Sequence, residues 1–160
     1  MGDNSSIELD KTDKAILGYL AENGRLPVSD LAPLVHLSTA TCFSRVQRLV
    51  ERGVILRFST ILDPVKVGRG TLVIVGVNLN ILDNDSMASF EKSITSLDIV
   101  IDCYLVLGEF DYFLKIRVSD IYKFNEIYSN YLVSIPGVSR TRTFICLKEV
   151  IDRHEASISL

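Results

Sequence analysis

The sequence of 160 residues has no tryptophan, three cysteines and two histidines, and its apolar runs fall short of the ~20 residues that cross a bilayer. The cysteines, Cys42, Cys103 and Cys146, are odd in number and lack C-x-x-C spacing, which argues against a zinc ribbon or a redox pair. Each lies in an apolar pattern, so we expect three buried thiols. Without a segment resembling a signal peptide, the chain is expected to be cytoplasmic and to have no membrane partner.

Catalytic motifs are equally scarce. His36 and His154 are far apart and lack metal-ligand spacing, and there is no G-x-S-x-G, P-loop or dinucleotide-binding fingerprint. Asp10 and Asp13 are interpreted as the acidic start of a helix, not as an acid/base pair. We therefore expect no enzyme, no catalytic residue, no metal and no cofactor.

Hydrophobic residues make up 48% and charged residues 23% of the chain, which suits a packed globular fold. The net charge of -3 is unevenly distributed. Residues 36–70 contain six Lys or Arg against two Asp or Glu, whereas from residue 71 onward there are eight against twelve. A local basic stretch in an acidic chain is typical of a nucleic-acid contact surface.

One helix within that basic stretch has both of its ends specified by the sequence. Ser38 is a favoured N-cap, and Gly53 suits the left-handed residue that ends a helix. Cys42, Val46 and Leu49 recur at spacings of four and three, which predicts the buried face. Another face carries short hydroxyls and arginines: Thr41, Ser44, Arg45 and Arg48.

The residues before this helix favour a DNA-binding interpretation over a merely solvated polar face. Residues 28–35 predict a short helix, and only His36 and Leu37 separate it from Ser38. Two helices joined so tightly are typical of a helix-turn-helix, whose second helix enters the major groove of double-stranded DNA. The predicted DNA-contacting residues of this helix are Ser38, Thr39, Thr41, Ser44, Arg45 and Arg48.

A first helix is predicted from the N-cap Asp10 to about Asn23, before Gly24. Residues 54–62, rich in β-branched and aromatic side chains, predict a strand in which Arg57 contacts phosphate as a wing would. The predicted organisation is a winged helix-turn-helix domain over residues 1–60, a hinge over 61–70, a second domain over 71–150 and a tail over 151–160.

The second domain shows one pattern twice. The alternation of apolar residues predicts strands over 71–80, 99–107, 112–118 and 138–147, and helices over 83–97 and 120–133. This βαββαβ order predicts a ferredoxin-like antiparallel sheet with two helices on one face, and an α+β fold for the whole chain.

The first of these strands is apolar on both of its faces. Val73, Val75, Val77 and Leu79 alternate with Leu72 and Ile74. Such a strand is normally covered on both sides, and the helices cover only one. We therefore predict a homodimer that forms through these sheets.

Several short motifs occur together in a recognisable order. In the first half they are Leu9-Asp10-x-x-Asp13-x-x-Ile16-Leu17, Asn23-Gly24-Arg25, Asp30-Leu31-Ala32, Leu37-Ser38, Arg45-Val46-x-x-Leu49 and Gly53-Val54-Ile55. In the second half they are Gly108-Glu109-Phe110-Asp111-Tyr112, Pro136-Gly137-Val138, Thr141-Arg142-Thr143 and Lys148-Glu149-Val150. Over residues 8–150 the chain resembles the Lrp/AsnC family of transcriptional regulators, and its leucine-responsive branch in particular.

This resemblance implies a regulator whose second domain binds an amino acid or related metabolite, and whose dimers assemble into octamers or similar discs. The effector would lie between neighbouring subunits. Matched by motif, its predicted contacts are Leu107, Gly108, Phe110, Asp111 and Tyr112, with Thr143, Phe144, Ile145 and Cys146 opposite. Amides at a glycine turn suit a carboxylate, and Asp111 suits an ammonium group.

Two alternatives remain open from the residues. The Gly108 to Asp111 segment also fits an ordinary hairpin, with a positive φ at Gly108 and a turn hydrogen bond from Asp111. The alternative function is a ligand-independent architectural protein that wraps or bridges DNA. The operator, the effector and the sign of regulation do not follow from the sequence.

Overall fold

The computed structural model describes residues 8–151, which divide into two compact units, one formed mainly by residues 8–61 and one by Leu62–Val150. Residues 1–7 and the predicted tail beyond Ile151, which includes His154, lie outside the described residues. Each unit has its own core of buried apolar side chains. Within the described part of the chain, every helix is too short or too polar to span a bilayer.

The first unit contains three helices: α1 (Lys11–Glu22), α2 (Val28–Leu34) and α3 (Thr39–Glu51). The predicted caps are confirmed, because the side chain of Asp10 accepts a hydrogen bond from the amide of Asp13, and that of Ser38 from the amide of Thr41. Gly53 ends α3 at a φ of 69°. The predicted inner face of α3 is also confirmed, since it belongs to the core made by Ile16, Leu31, Ala32, Val35, Cys42, Val46 and Leu49.

The strand predicted over residues 54–62 is wrong. The amides of Val54 and Ile55 donate to the carbonyl of Leu49, and residues 56–63 then contain no strand. Leu56 is 89% exposed. A strand needs a neighbour for its backbone hydrogen bonds, and the three helices of this unit offer none, so the β-branched composition is not sufficient.

The second unit has the predicted βαββαβ order. Its elements are β1 (Thr71–Leu79), α4 (Asn84–Thr95), β2 (Val100–Leu105), β3 (Tyr112–Val118), α5 (Ile121–Asn130), a 3-10 turn (Leu132–Ser134) and β4 (Val138–Ile145). The antiparallel sheet has the strand order β2-β3-β1-β4. Both central strands are therefore hydrogen-bonded on both sides, while β2 and β4 are edges.

The two faces of the sheet differ. Val73, Val75 and Val77 pack in one core with Phe90 of α4 and Phe124 of α5, so both helices cover the same face, as predicted. Because side chains alternate along a strand, the intervening residues lie on the opposite side. We call this second side the open face; it comprises Leu72, Ile74, Gly76 and Asn78 of β1, Phe113, Lys115 and Arg117 of β3, and Arg140, Arg142 and Phe144 of β4.

The expectation of three buried cysteines is wrong for two of them. All three thiols are free, but only Cys42 is buried, while Cys146 is half-buried and Cys103 is exposed. Cys103 lies in β2, and an edge strand has a neighbour on one side only. An apolar sequence pattern does not distinguish an edge strand from a central one.

Candidate functional site

The predicted hydroxyl side chains gather at the N-terminal end of α3. Ser38, Thr39, Thr41 and Ser44 are all exposed. The Oγ atom of Ser38 accepts from the Thr41 amide at 3.2 Å and lies 2.8 Å from Oγ1 of Thr41. The cap that starts the helix thus also holds two of the predicted DNA-contacting hydroxyls at the surface.

Arg45 and Arg48 are tied to α1 by ion pairs. Nη1 of Arg45 donates to Oδ2 of Asp10 at 2.7 Å and to Oδ1 of Asp13 at 2.8 Å. Nη2 of Arg48 donates to both carboxylate oxygens of Asp13, at 3.0 and 2.9 Å. We call these four residues the α1–α3 ion cluster. It joins residues more than thirty positions apart.

The cluster is electrically balanced and partly buried. Asp13 is 3% exposed, while 26% of the Arg45 side chain and 46% of the Arg48 side chain are exposed. The hydrogen bond to Arg45 lowers the pKa of Asp10, and the contacts with Asp10 and then Asp13 raise the pKa of Arg45. Two arginines facing two carboxylates add little net positive potential, so the cluster attracts phosphate less strongly than two free arginines would.

Other exposed side chains of the first unit are free of such partners. Phe43, 54% exposed, and Gln47 lie four residues apart on α3, away from the buried Cys42, Val46 and Leu49. Neither forms a hydrogen bond or ion pair with a described residue. The DNA-contacting residues predicted from the sequence include neither Phe43 nor Gln47. The sequence does show their four-residue spacing and the polar residues next to Phe43. Arg57 is also exposed, as expected for a phosphate contact.

The second predicted site is the loop between β2 and β3. The amide of Asp111 donates to the carbonyl of Val77, and its Oδ2 accepts from the amide of Leu79 at 2.8 Å. The carbonyl of Glu109 accepts from Nδ2 of Asn78 at 2.9 Å. Asp111 therefore fastens the loop to β1 through a bond to a residue 32 positions away, which differs from the local turn hydrogen bond of the hairpin alternative.

The same loop also has features that an ordinary hairpin does not require. Gly108 does not have the positive φ that the hairpin alternative expects, and a Cβ atom there would meet nothing within 4 Å. The amides of Gly108, Glu109 and Phe110 donate to no residue within the described range. Leu107 is fully exposed. Neither backbone conformation nor crowding within this chain accounts for the glycine.

Phe110 and Tyr112 lie on opposite sides of the sheet. The ring of Phe110 covers Gly76 on the open face and is only 5% exposed. Tyr112 belongs to the helix-covered core, and its hydroxyl donates to Oε1 of Glu91 at 2.8 Å. Burial, followed by this contact with Glu91, raises the pKa of Tyr112. Phe110 thus lies beside the loop, whereas the Tyr112 side chain faces the helices.

The second group of predicted effector contacts, Thr143, Phe144, Ile145 and Cys146, lies along β1 from its middle to its first residues. Asp111 bonds to Val77 and Leu79, near the last residues of β1. Thr143 pairs with Val75, Phe144 with Ile74 and Ile145 with Val73, and the amide of Cys146 donates to the carbonyl of Leu72. Counted from Val77, these positions are two to five residues along the strand, which corresponds to about 7–17 Å. Within one subunit Thr143 is therefore the member of the second group nearest to the loop, and Ile145 and Cys146 lie well away from it.

Charged side chains that the sequence prediction did not include border the loop. Oε1 of Glu109 lies 3.5 Å from Nη2 of Arg140 and 3.6 Å from Nη1 of Arg142. The guanidinium of Arg142 lies 5.7 Å from the ring centroid of Phe144. The two-residue spacing of these arginines puts them on one face of β4, and this spacing could have indicated from the sequence that both border the loop. Among residues 8–151 there is no group of His, Cys, Asp and Glu side chains that would hold a metal.

Two family profiles match the chain. Residues 9–55 match a winged helix-turn-helix DNA-binding domain, and residues 72–156 match the Lrp/AsnC ligand binding domain. The second match alone covers more than half of the sequence. Together they include α3 and the loop before β3.

Relatives with named functions are similar over most of the chain. The proline dehydrogenase transcriptional activator of Rhizobium radiobacter is 36% identical over 143 residues, covering 89% of this chain and 92% of that protein. The leucine-responsive regulatory protein of Haemophilus influenzae is 37% identical over 142 residues, covering 89% and 86%. These relatives are transcriptional regulators, not enzymes.

Solved structures show the same fold. A transcriptional regulator of Neisseria meningitidis in complex with L-Met is 31% identical, with a TM-score of 0.86, covering 91% of this chain and 94% of that one. An AsnC family transcriptional regulator of Agrobacterium tumefaciens is 30% identical, with a TM-score of 0.87, covering 92% and 95%. The similarity extends through both units.

Proposed function

Because the chain belongs to the Lrp/AsnC family of transcriptional regulators, we propose that an amino acid binds between copies of its second unit and thereby controls how the first unit engages DNA. The family fixes the outline: a winged helix-turn-helix that binds DNA, and a domain that binds a ligand. The residues involved, the assembly and the place of action belong to the proposal. A family member crystallised with L-Met supports an amino acid as the class of ligand.

The observation that carries this proposal is the loop from Leu107 to Asp111. An amino acid presents a carboxylate and an ammonium group on the same carbon atom, and both need charge-matched partners. The amides of Gly108, Glu109 and Phe110 donate to no described residue, so they suit the carboxylate. Oδ2 of Asp111 bonds to Leu79, which leaves Oδ1 for the ammonium group.

The remaining side of the site is proposed to come from a neighbouring subunit. Within one chain the loop contacts β1 at Val77 and Leu79, whereas the second group, Thr143, Phe144, Ile145 and Cys146, extends along β1 from Val75 to Leu72, so most of its members are too far from the loop to share one ligand with it. On the open face, Phe144 is 43% exposed, and the same face carries the aromatic pair of Phe110 and Phe113. We propose that a second copy covers this face in a homodimer, and that dimers assemble to an octamer or a similar ring.

For DNA, we propose that α3 lies in the major groove and that the hydroxyls and cations at its surface contact phosphate. These are the residues predicted from the sequence: Ser38, Thr39, Thr41, Ser44, Arg45, Arg48 and Arg57. Residues 61–70 are proposed to act as the hinge between the domains, and the cytoplasm is the proposed place of action, where a bacterial or archaeal regulator meets its DNA.

Thermal unfolding in the presence of each common amino acid tests the effector proposal. A ligand that binds only the folded state raises the unfolding free energy by about 2.7 kcal/mol at a hundred times its Kd. We expect at least one amino acid to raise the Tm of the wild type, and the Asp111→Asn variant to lose that shift. Light scattering in the same samples reports the assembly. A flat response to every amino acid supports the ligand-independent architectural function instead.

A further inference from the structure

The arginines of α3 have partners in α1, whereas other exposed side chains of this helix have none. In the α1–α3 ion cluster, the Nη1 atom of Arg45 contacts two carboxylates, and Arg48 is held at two points by Asp13. Reorienting either guanidinium away from α1 would break its contact with Asp13, a carboxylate that is itself 3% exposed. Uncovering a buried charge is costly, so these two arginines are held toward α1.

Phe43 and Gln47 have no such restraint. They lie four residues apart, one above the other on the surface of α3, with Ser44 beside them. Phe43 stays 54% exposed although its neighbours on that surface are polar. The residues that contact bases in a helix-turn-helix come from the N-terminal part of its second helix; Phe43 is the fifth of the thirteen residues of α3, and Gln47 lies about one turn further along the same surface.

The chemistry of the two side chains specifies what they recognise. A glutamine amide presents one donor and one acceptor side by side, which matches N7 and N6 of adenine in the major groove. An apolar ring matches the methyl group of thymine, which no other DNA base carries there. We propose that Gln47 and Phe43 are the base-reading residues of α3, recognising adenine and thymine respectively, while Arg45 anchors α3 to α1. This inference rests on the proposed insertion of α3 into the major groove.

The test begins with duplexes that the wild-type protein selects from a random library. Affinity is then measured for the selected duplex and for versions with one base pair changed at a time. We expect Gln47→Ala to lose a preference for adenine at one position, where the wild type discriminates by roughly 5- to 150-fold. We expect Phe43→Ala to lose a preference for thymine at another position. Val50→Ala, an exposed apolar truncation on the same helix, is the matched control and keeps both preferences.

Base analogues test the same contacts without altering the protein. Replacing the critical thymine by uracil removes only the methyl group, and an adenine analogue with carbon in place of N7 removes only that acceptor. Wild-type binding should weaken with each analogue, and Phe43→Ala and Gln47→Ala should each become insensitive to its own analogue. Arg45→Ala should weaken binding to all duplexes while keeping their ranking.

The outcomes separate this inference from the function on which it rests. If the wild type selects a sequence, and both variants and both analogues leave the base preferences unchanged, the reading roles of Phe43 and Gln47 are refuted while DNA binding stands. If Arg45→Ala alone changes the ranking of base pairs, Arg45 is the reader and the assignment fails. If the wild type selects no sequence, both the inference and sequence-specific binding fail.

Discussion

A Cβ atom built on Gly76 would lie 2.8 Å from the ring of Phe110, so the glycine and the aromatic side chain fill complementary space on the open face. The contacted atoms are Cγ, Cδ1 and Cδ2 of the ring. Phe110 is 5% exposed, and its ring centroid lies 5.5 Å from that of Phe113. The loop that precedes β3 thus packs on β1 through the contact between Phe110 and Gly76. This contact lies next to the proposed effector contacts.

Gly76→Ala is therefore expected to destabilise the second unit. The added methyl group must displace Phe110, and overpacking of this kind costs roughly 1–3 kcal/mol. Urea unfolding measures the loss. Gly18→Ala is the matched control, because nothing lies within 4 Å of a Cβ atom there, and alanine in a helix is favoured over glycine by about 0.5–1 kcal/mol. Equal urea midpoints for the Gly76→Ala variant and the wild type would contradict a close packing of Phe110 on Gly76.

Asp13→Ala is expected to loosen the contact between α1 and α3. It removes three of the four hydrogen bonds that Arg45 and Arg48 make in the ion cluster. Breaking a fully buried pair costs about 3–5 kcal/mol; because both arginines are partly exposed, we expect roughly 1–3 kcal/mol. Unfolding of the first unit, followed by helix circular dichroism, measures this loss. Asp30→Ala, at an exposed carboxylate of α2, serves as the control.

Acid should weaken the first unit through Asp10. Its pKa is lowered in the folded state, first by the hydrogen bond from Arg45, so its contribution is present above the unfolded pKa of about 3.9 and is lost as pH falls through the folded value. Asp10→Asn keeps an N-cap residue but removes the charge. We expect this variant to lose less stability than the wild type when unfolding is followed from about pH 7 to about pH 3. Parallel curves would show that the ion pair contributes nothing.

Arg57→Ala should reduce the salt dependence of DNA binding. Arg57 is exposed and has no described partner, so it is free to displace a counterion from phosphate. The slope of log K against log salt should fall by about 0.9 for one lost phosphate contact. Arg25→Ala removes an exposed arginine between α1 and α2 and should leave the slope unchanged. Fluorescence anisotropy over a salt series distinguishes the two variants.

The sequence was informative wherever the determining contacts are local. Ser38 caps α3 by accepting from an amide three residues away, and Gly53 ends it because a glycine adopts a positive φ without a steric cost. Both ends of α3 therefore follow from neighbouring residues. The alternation of Val73, Val75 and Val77 likewise gave the helix-covered face of β1. The strand predicted over 54–62 failed because strand formation depends on a partner that the composition does not reveal.

The candidate sites were less predictable because their geometry depends on distant residues. Asp10 and Asp13 were recognised as the acidic start of α1, but their ion pairs with Arg45 and Arg48 join positions more than thirty residues apart. In the loop, residues 110 and 112 would share a face in a regular strand. They lie on opposite faces because the strand begins only at Tyr112, and the Phe110 ring turns over Gly76.

The ion cluster separates the attachment of α3 from the surface that carries Phe43 and Gln47. Substitutions at those two positions leave every carboxylate–guanidinium contact with α1 in place. Under the proposed reading roles, a duplicated copy of this regulator could therefore acquire a new set of target promoters through substitutions at Phe43 and Gln47 without losing the stability of its first unit. Selection for new targets would then change the outer residues of α3 and leave the ion cluster intact.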